Sequence, residues 1–334
     1  MSTSKAASRR IRMPDELGVF IALLVLIGII GALQPKFLNI NTFLNVMANN
    51  SILGMLALGT VFLLAMREID LSFGMILNLS GVLAGLSMIA GVPVELGILI
   101  ALVAGLTMGT LNGYLSVQFR LPLIIITLGT ASIYQGTSLI VNNKGSVLPP
   151  PEVKAHWFFQ FMGGLTDFPV PPIVIVFLVL AVVLHFVLHR SRFGYRILAI
   201  GSNPDSARLA GINVDGSRIQ VAALMGVIAG FGGAMFLGFR GAIDPTTGYQ
   251  LLLPVIAAAI IGGTPLSGGS GTIIGAVLGT LVVGVIATGV VFLGIDATWS
   301  TFVTGVVIVV AVGIDQLVRV QRRNRAAVAS AGGQ

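Results

Sequence analysis

Long apolar runs alternate with short polar stretches along nearly the whole chain. Most runs have about 17 to 25 residues, the length that an α-helix needs to cross a membrane. The runs predict membrane-spanning helices at residues 17–33, 42–66, 71–90, 96–117, 123–141, 171–188, 219–239, 251–261, 272–292 and 298–318. The predicted fold is therefore all-α: a polytopic membrane helix bundle with about ten transmembrane helices.

The eighth run, 251–261, is only about half as long as a membrane is thick, at roughly 1.5 Å per residue. If this run is re-entrant, the chain crosses nine times and its basic C-terminal tail lies outside. With ten crossings and the N-terminus inside, fifteen of the 19 Lys and Arg residues lie on the inner side and four on the outer side. Cytoplasmic loops carry such an excess, so we expect ten crossings with both termini in the cytoplasm.

Polar segments divide the chain further. We expect residues 1–16 and 319–334 to be cytoplasmic tails that flank one transmembrane domain, 17–318. Residues 142–169 form the long polar segment on the periplasmic side, and residues 190–218 form the main cytoplasmic loop.

The cytoplasmic loop contains the signals of one short helix. Asn203 is a good N-cap, Pro204 fits the first helical position, and Asp205 suits the positive end of the helix dipole. Gly211 is placed to end the helix in a left-handed turn. Taken alone, these residues fit either an ordinary capped surface loop or a helix that another protein holds.

Composition and charge exclude several classes of protein. The chain is 55% hydrophobic and only 9% charged, whereas soluble domains have roughly 25% charged residues. The net charge of +7 comes from loops and chain ends, and no basic patch interleaved with aromatic residues indicates nucleic-acid binding. The absence of cysteine excludes disulfides and thiol chemistry.

No motif in the sequence indicates catalysis or a bound metal. The sequence has no phosphate-binding loop, zinc-protease motif or nucleophile elbow. His185 and His189 are one helical turn apart but have no evident third ligand. No predicted span has an ionisable residue near its middle, which disfavours an ion-coupled carrier. We therefore expect no enzyme, and the energy source for any transport is missing from this chain.

Neutral polar residues do occur within the spans. Such residues can line a path for an uncharged, hydroxyl-rich solute, or they can form interhelical hydrogen bonds. The candidates for a translocation pathway are Asn50, Asn78, Asn112, Thr127, Thr130 and Gln135.

Two glycine ladders suggest internal symmetry. Gly105, Gly109 and Gly113 repeat every four residues in the fourth span, and Gly271, Gly275 and Gly279 do so in the ninth. These spans run in opposite directions in the predicted topology. Spans 2–5 and 7–10 are therefore predicted to be inverted repeats, which are typical of transporters; a helix bundle can also have such ladders without a repeat.

Several short motifs, in order along the chain, resemble the ribose-type permease family, the transmembrane subunits of bacterial ABC sugar importers. They are Ile69-Asp70-Leu71-Ser72-Phe73-Gly74, Leu111-Asn112-Gly113, Ile126-Thr127-Leu128-Gly129-Thr130 after Pro122, Ala199-Ile200-Gly201-Ser202-Asn203, Ala210-Gly211-Ile212 and Gly268-Gly269-Ser270-Gly271. Arg67-Glu68 departs from the two small residues usual before Ile-Asp-Leu-Ser in that family. This pair either interacts locally or touches a partner.

The resemblance implies a multi-pass protein of the bacterial inner membrane that conducts a sugar or sugar-like solute. The implied partners are a cytoplasmic ABC ATPase, a periplasmic or lipid-anchored solute-binding protein, a second permease (the same chain or a paralogue) and membrane lipid. ATP and magnesium would bind the ATPase, and no cofactor would bind this chain. The implied coupling helix comprises Asn203, Pro204, Asp205, Ser206, Ala207, Arg208, Leu209, Ala210 and Gly211. The alternative is a stand-alone ion-coupled or facilitative carrier.

Overall fold

The computed structural model describes residues 15–163 and 169–296, together with scattered residues between 298 and 313. The helices in these ranges are α1 (Asp15–Leu33), α2 (Ile40–Ala65), α3 (Phe73–Ile89), α4 (Val94–Phe119), α5 (Leu123–Val141), α6 (Pro151–Lys154), α7 (Trp157–Met162), α8 (Pro172–Arg190), α9 (Arg192–Ser202), α10 (Pro204–Leu209), α11 (Val214–Arg240), α12 (Leu252–Ile261) and α13 (Ile273–Phe292). Short 3-10 turns at Pro35–Leu38 and Tyr249–Leu251 precede α2 and α12.

The prediction of an all-α polytopic membrane bundle is confirmed. In the described ranges, seven helices are long and apolar enough to cross a membrane: α1, α2, α4, α5, α8, α11 and α13. Two further apolar helices are shorter, α3 with 17 residues and α12 with 10. The tenth predicted span, 298–318, and the tails 1–16 and 319–334 lie almost entirely outside the described residues. The number of crossings and the orientation therefore stay predictions.

The core of the bundle consists of α2, α3 and α11. Residues 51–66, which are the second half of α2 and the residue that follows it, are all buried, including the large side chains of Phe62 and Met55. By contrast, α5 is buried along one narrow face and exposes Leu128, Ile133 and Ile140 on the other. An exposed face of this kind suits contact with lipid tails.

Glycine allows α4 and α11 to approach each other closely. A Cβ atom added at Gly226 would lie 2.8 Å from the Cα atom of Gly109 and would also collide with the carbonyl oxygen of Gly105. In the second ladder, a Cβ atom at Gly279 would lie 3.0 Å from the backbone nitrogen of Gly262 at the end of α12. Both ladders thus place helix backbones in direct contact, as small-residue motifs do in membranes.

The helix pairs match those expected from an inverted repeat. In such a repeat α2 would correspond to α11, α3 to α12 and α4 to α13. The contacts of α4 with α11 and α3 then have counterparts in the contacts of α13 with α2 and α12. This pattern is consistent with the predicted repeat of spans 2–5 and 7–10.

The two ends of the bundle are held together separately. Following the predicted orientation, we call the end of the bundle that contains residues 66–72 and 190–218 the inner end. The end that contains residues 142–163 and 241–251 is the outer end. At the outer end, Val147 and Ile243 exchange backbone hydrogen bonds. At the inner end, the backbone N–H of Gly269 donates to the carbonyl of Ala65 at 2.8 Å.

The first turn of α3 and the turn before α12 meet inside the bundle. The backbones of Gly74 and Gly248 are in contact, so a Cβ atom on either residue would overlap the other. Gly248 also has a φ of +94°, a conformation that side chains other than glycine rarely adopt. No side chain therefore separates the start of α3 from the turn that precedes α12.

Candidate functional site

The short helix predicted within residues 190–218 is present in the structure as α10. The Asn203 Oδ1 atom accepts hydrogen bonds from the backbone N–H groups of Asp205 and Ser206, at 3.1 and 3.0 Å. Pro204 begins the helix, and Gly211 follows its end with a φ of +79°. The cap and the terminal glycine therefore have the roles that their residue types predict.

The structure contains a second helix in this loop that the sequence analysis missed. Ser191 caps α9 by accepting a hydrogen bond from the backbone N–H of Gly194 at 3.1 Å. One face of α9 is apolar, with Ile197 and Ile200 buried against the bundle. The cap and the spacing of Phe193, Ile197 and Ile200 were the available signal, but the neighbouring arginines obscured it.

α10 is seated on the bundle by one side and exposed on the other. Ala207 is buried and its carbonyl accepts a hydrogen bond from the backbone N–H of Ile212 at 3.0 Å. The side chain of Leu209 is 91% exposed. Arg208 lies 3.6 Å from Asp215 in a pair that is more than half exposed, which contributes little to stability. The outward apolar residue of α10 is therefore Leu209.

Arg67 and Glu68 both interact with residues of the same chain that are distant in the sequence. Glu68 accepts a hydrogen bond from Nε of Arg218 at 2.6 Å, and Arg67 donates to the carbonyl of Ser202 at 2.8 Å. Burial raises the pKa of Glu68 above its ordinary value, and the Arg218 guanidinium offsets part of that rise. These contacts join the loop after α2 to the end of α9 and the first turns of α11.

Most of the predicted pathway residues are buried and hydrogen-bonded within the bundle. Asn112 donates to Ser72 Oγ at 2.8 Å and accepts from the Tyr134 hydroxyl at 2.9 Å. Thr127 is fully buried and accepts from the backbone N–H of Leu71 at 3.1 Å. These contacts match the alternative of interhelical hydrogen bonding.

The other pathway candidates are spread over several places. Asn50 is half-buried, and its amide donates to the carbonyl of Val46 one turn earlier in α2. Thr130 is buried in α5. Asn78 donates to the carbonyl of Asp244 at 2.7 Å, and Gln135 donates to the carbonyl of Pro245 at 2.5 Å. The six residues therefore do not form one surface, and two of them hold the same turn.

That turn borders a polar cavity of about 310 Å³ at the outer end of the bundle. Its polar lining consists of Asn49, Arg240, Asp244, Thr246, Thr247 and Gln250. Ile52, Leu53 and Phe236 are among the apolar residues that complete it. Residues 240–250 separate two of the predicted spans, and nothing in that stretch predicts the cavity, because folding back into the bundle is a tertiary feature.

Comparison with known proteins identifies the family. The family described as "branched-chain amino acid transport system / permease component" matches residues 42–312. The chain belongs to this permease family. The ribose import permease RbsC of Bacillus subtilis is 32% identical over 90% of this chain and 93% of its own length. The D-allose permease AlsC of Escherichia coli is 35% identical over 91% of this chain and 92% of its own length. The autoinducer 2 import permease LsrC of Yersinia enterocolitica is 34% identical over 86% of this chain and 79% of its own length.

No solved structure matches the permease. The resemblance inferred from the short motifs is confirmed, since relatives named as permeases for ribose and D-allose match about nine-tenths of the chain. The permease is thus the transmembrane subunit of an ABC import system and a multi-pass protein of a bacterial inner membrane. The roles of α10 and of the polar residues are not carried over with the family.

Proposed function

We propose that this permease imports a sugar or sugar-like solute, which a solute-binding protein delivers and a separate ATPase drives. Two of the three named relatives are named for sugars, ribose and D-allose, and the third for autoinducer 2. The described residues contain no group of three or more His, Asp or Glu side chains that would hold a metal ion. ATP and magnesium belong to the ATPase in this proposal.

The ATPase contact is assigned to α10, residues Asn203 to Gly211. The observation that carries the assignment is the orientation of this helix: Ala207 faces the bundle, and Leu209 is 91% exposed. A side chain of that size, isolated on a rigid and capped helix, suits insertion into a pocket of another protein. Two permeases, either identical copies or paralogues, would each present one such helix to an ATPase pair.

A reconstituted system tests the proposed function. The permease is placed in proteoliposomes with its ATPase and loaded binding protein, and uptake of a panel of labelled sugars, autoinducer 2 and leucine is measured. We expect sugar uptake that requires both ATP and the binding protein. Uptake by the permease alone would support the stand-alone carrier, and uptake of leucine alone would overturn the solute class.

Leu209 provides a sharper test of the ATPase contact. We expect Leu209→Asp to abolish uptake and ATPase stimulation while the permease still inserts and purifies normally, and Leu209→Met to retain both activities. Leu148→Asp, which adds the same charge at an exposed leucine of the outer end, is the control. Normal ATPase stimulation by Leu209→Asp would exclude α10 as the coupling helix.

A further inference from the structure

The two short helices of the permease occupy corresponding positions. α3 and α12 each follow the first helix of a predicted repeat, α2 and α11 respectively. In transporters built from inverted repeats, interrupted or shortened helices at matching positions indicate the solute site. Here the first turn of α3 and the turn that precedes α12 meet at Gly74 and Gly248 inside the bundle.

Polar side chains of α3 and α5 hold the turn before α12 in place. Asn78 and Gln135 hold the carbonyls of Asp244 and Pro245 from α3 and α5. The hydroxyl of Ser138 fixes Asn78 by donating to its Oδ1 atom at 2.5 Å. A turn fixed by donors from two helices is preorganised, so groups on its other side have defined positions.

The outer cavity lies on that other side. Gly248 and Asp244 line it together with Ile52 and Leu53 of α2. Ile52 is twelve residues from the start of α2, or about 18 Å along the helix at 1.5 Å per residue. The part of α2 that lines the cavity, Asn49 to Leu53, thus lies near the middle of this 26-residue helix.

The lining offers hydrogen-bond partners of both kinds. Arg240 donates to Asn49 at 3.1 Å, and this is the only hydrogen bond of its guanidinium among the described residues. Gln250, Thr246 and Asn49 add neutral groups that donate and accept. Phe236 and Phe239 supply apolar surface. Hydroxyl groups on one side of a sugar ring and C–H groups on the other match such a lining.

We infer, on the basis of the proposed function, that this cavity binds one uncharged, monosaccharide-sized polyhydroxylated solute from the outer side. Its volume of about 310 Å³ is at the lower limit of small-molecule sites. Asp244 already accepts a hydrogen bond from Ser146, and Arg240 contacts Asn49. Both charged groups therefore already have neutral polar partners, and their remaining donors and acceptors are free to hydrogen-bond the hydroxyl groups of a solute. Asn78 and Gln135 are positioning residues, because they act through the turn.

The absence of cysteine allows a direct test. Gln250→Cys places one thiol in the cavity, and Glu152→Cys places one on the exposed outer segment as the control. Each full-length permease, with its ATPase and binding protein, is labelled from outside with a membrane-impermeant maleimide, with and without millimolar amounts of the transported sugar. We expect the sugar to slow labelling of Gln250→Cys at least threefold and to leave Glu152→Cys unchanged. Equal labelling rates, or no labelling of Gln250→Cys, would overturn the inference.

Uptake measurements separate this inference from the proposed function. We expect Asn49→Leu and Gln250→Leu to lower the rate of sugar uptake at least tenfold while the loaded binding protein still stimulates the ATPase. Asn45→Leu, one turn away on α2 and outside the lining, should transport normally. If the wild type imports no sugar, the proposed function fails. If the wild type imports sugar and both cavity variants match it, only the cavity is excluded. Protection of Gln250→Cys by leucine instead would indicate an amino-acid site.

Discussion

The carboxylate of Glu68, in the loop after α2, accepts a 2.6 Å hydrogen bond from Arg218, which lies 150 residues later in the first turns of α11. The side chains of both residues are mostly buried, with 10% of Glu68 and 23% of Arg218 exposed. A pair of this kind is costly to break one partner at a time, because the remaining charge stays buried without compensation. The pair thus fixes the inner ends of two central helices relative to each other.

We expect Arg218→Met to destabilise the permease by about 3–5 kcal/mol, since it leaves the Glu68 carboxylate buried alone. Glu68→Gln should cost less, about 1–2 kcal/mol, because the amide oxygen still accepts from Arg218. Denaturation of the purified protein in detergent measures both. Arg208→Met is the control, since its exposed pair with Asp215 should contribute less than about 1 kcal/mol. Equal effects at the two arginines would contradict the prediction.

The raised pKa of Glu68 predicts a pH dependence of stability. The folded state holds the proton more tightly than the unfolded chain, so this contribution to stability is present at low pH. It is lost as the pH rises from the ordinary glutamate pKa to the raised value, at no more than about 1.4 kcal/mol per pH unit. The difference in unfolding free energy between the wild type and Glu68→Gln, measured in detergent as a function of pH, isolates this effect. Arg218→Met should widen the pH range over which this stability is lost, because Arg218 lowers the pKa of Glu68. If the stability of the wild type relative to Glu68→Gln instead rises with pH, the prediction is contradicted.

The close contact between α4 and α11 predicts that the same glycine-to-alanine substitution affects stability differently at two positions. Gly226→Ala forces these helices apart and should cost about 1–3 kcal/mol. Gly28→Ala, where no atom lies within 4 Å of the new Cβ, should be neutral or slightly stabilising, because alanine favours helix. Thermal denaturation and gel filtration of the solubilised proteins compare the two. A loss of stability at Gly28 equal to that at Gly226 would show that the close contact is not responsible.

Asn112 distinguishes the two interpretations of the buried polar residues. If its hydrogen bonds to Ser72 and Tyr134 only hold helices together, Asn112→Leu should cost about 1–3 kcal/mol and leave uptake per folded molecule unchanged. We expect this result. Tyr134→Phe, which removes one of the two hydrogen bonds, should cost about half as much. Normal stability with lost uptake would instead assign Asn112 to the solute path.

Local features of the fold were predictable, and long-range features were not. The apolar runs gave the spanning helices because the membrane requires both length and low polarity. Asn203 and Gly211 gave the ends of α10 because caps depend on neighbouring residues. The contact of Glu68 with Arg218, the inward face of Ala207 and the position of Gly248 depend on how distant segments pack. Single residues carry no signal for such packing, so the outer cavity emerged only from the structure.

The backbone contact between Gly74 and Gly248 has a mechanical consequence. Gly74 lies in the first turn of the helix that follows the loop of Arg67 and Glu68, and Gly248 belongs to the turn that lines the outer cavity. With no side chain between them to deform, a shift of one backbone toward the other meets it directly. The segment that leads from the inner end into α3 thus touches the wall of the outer cavity backbone to backbone, which leaves little room for either to move toward the other.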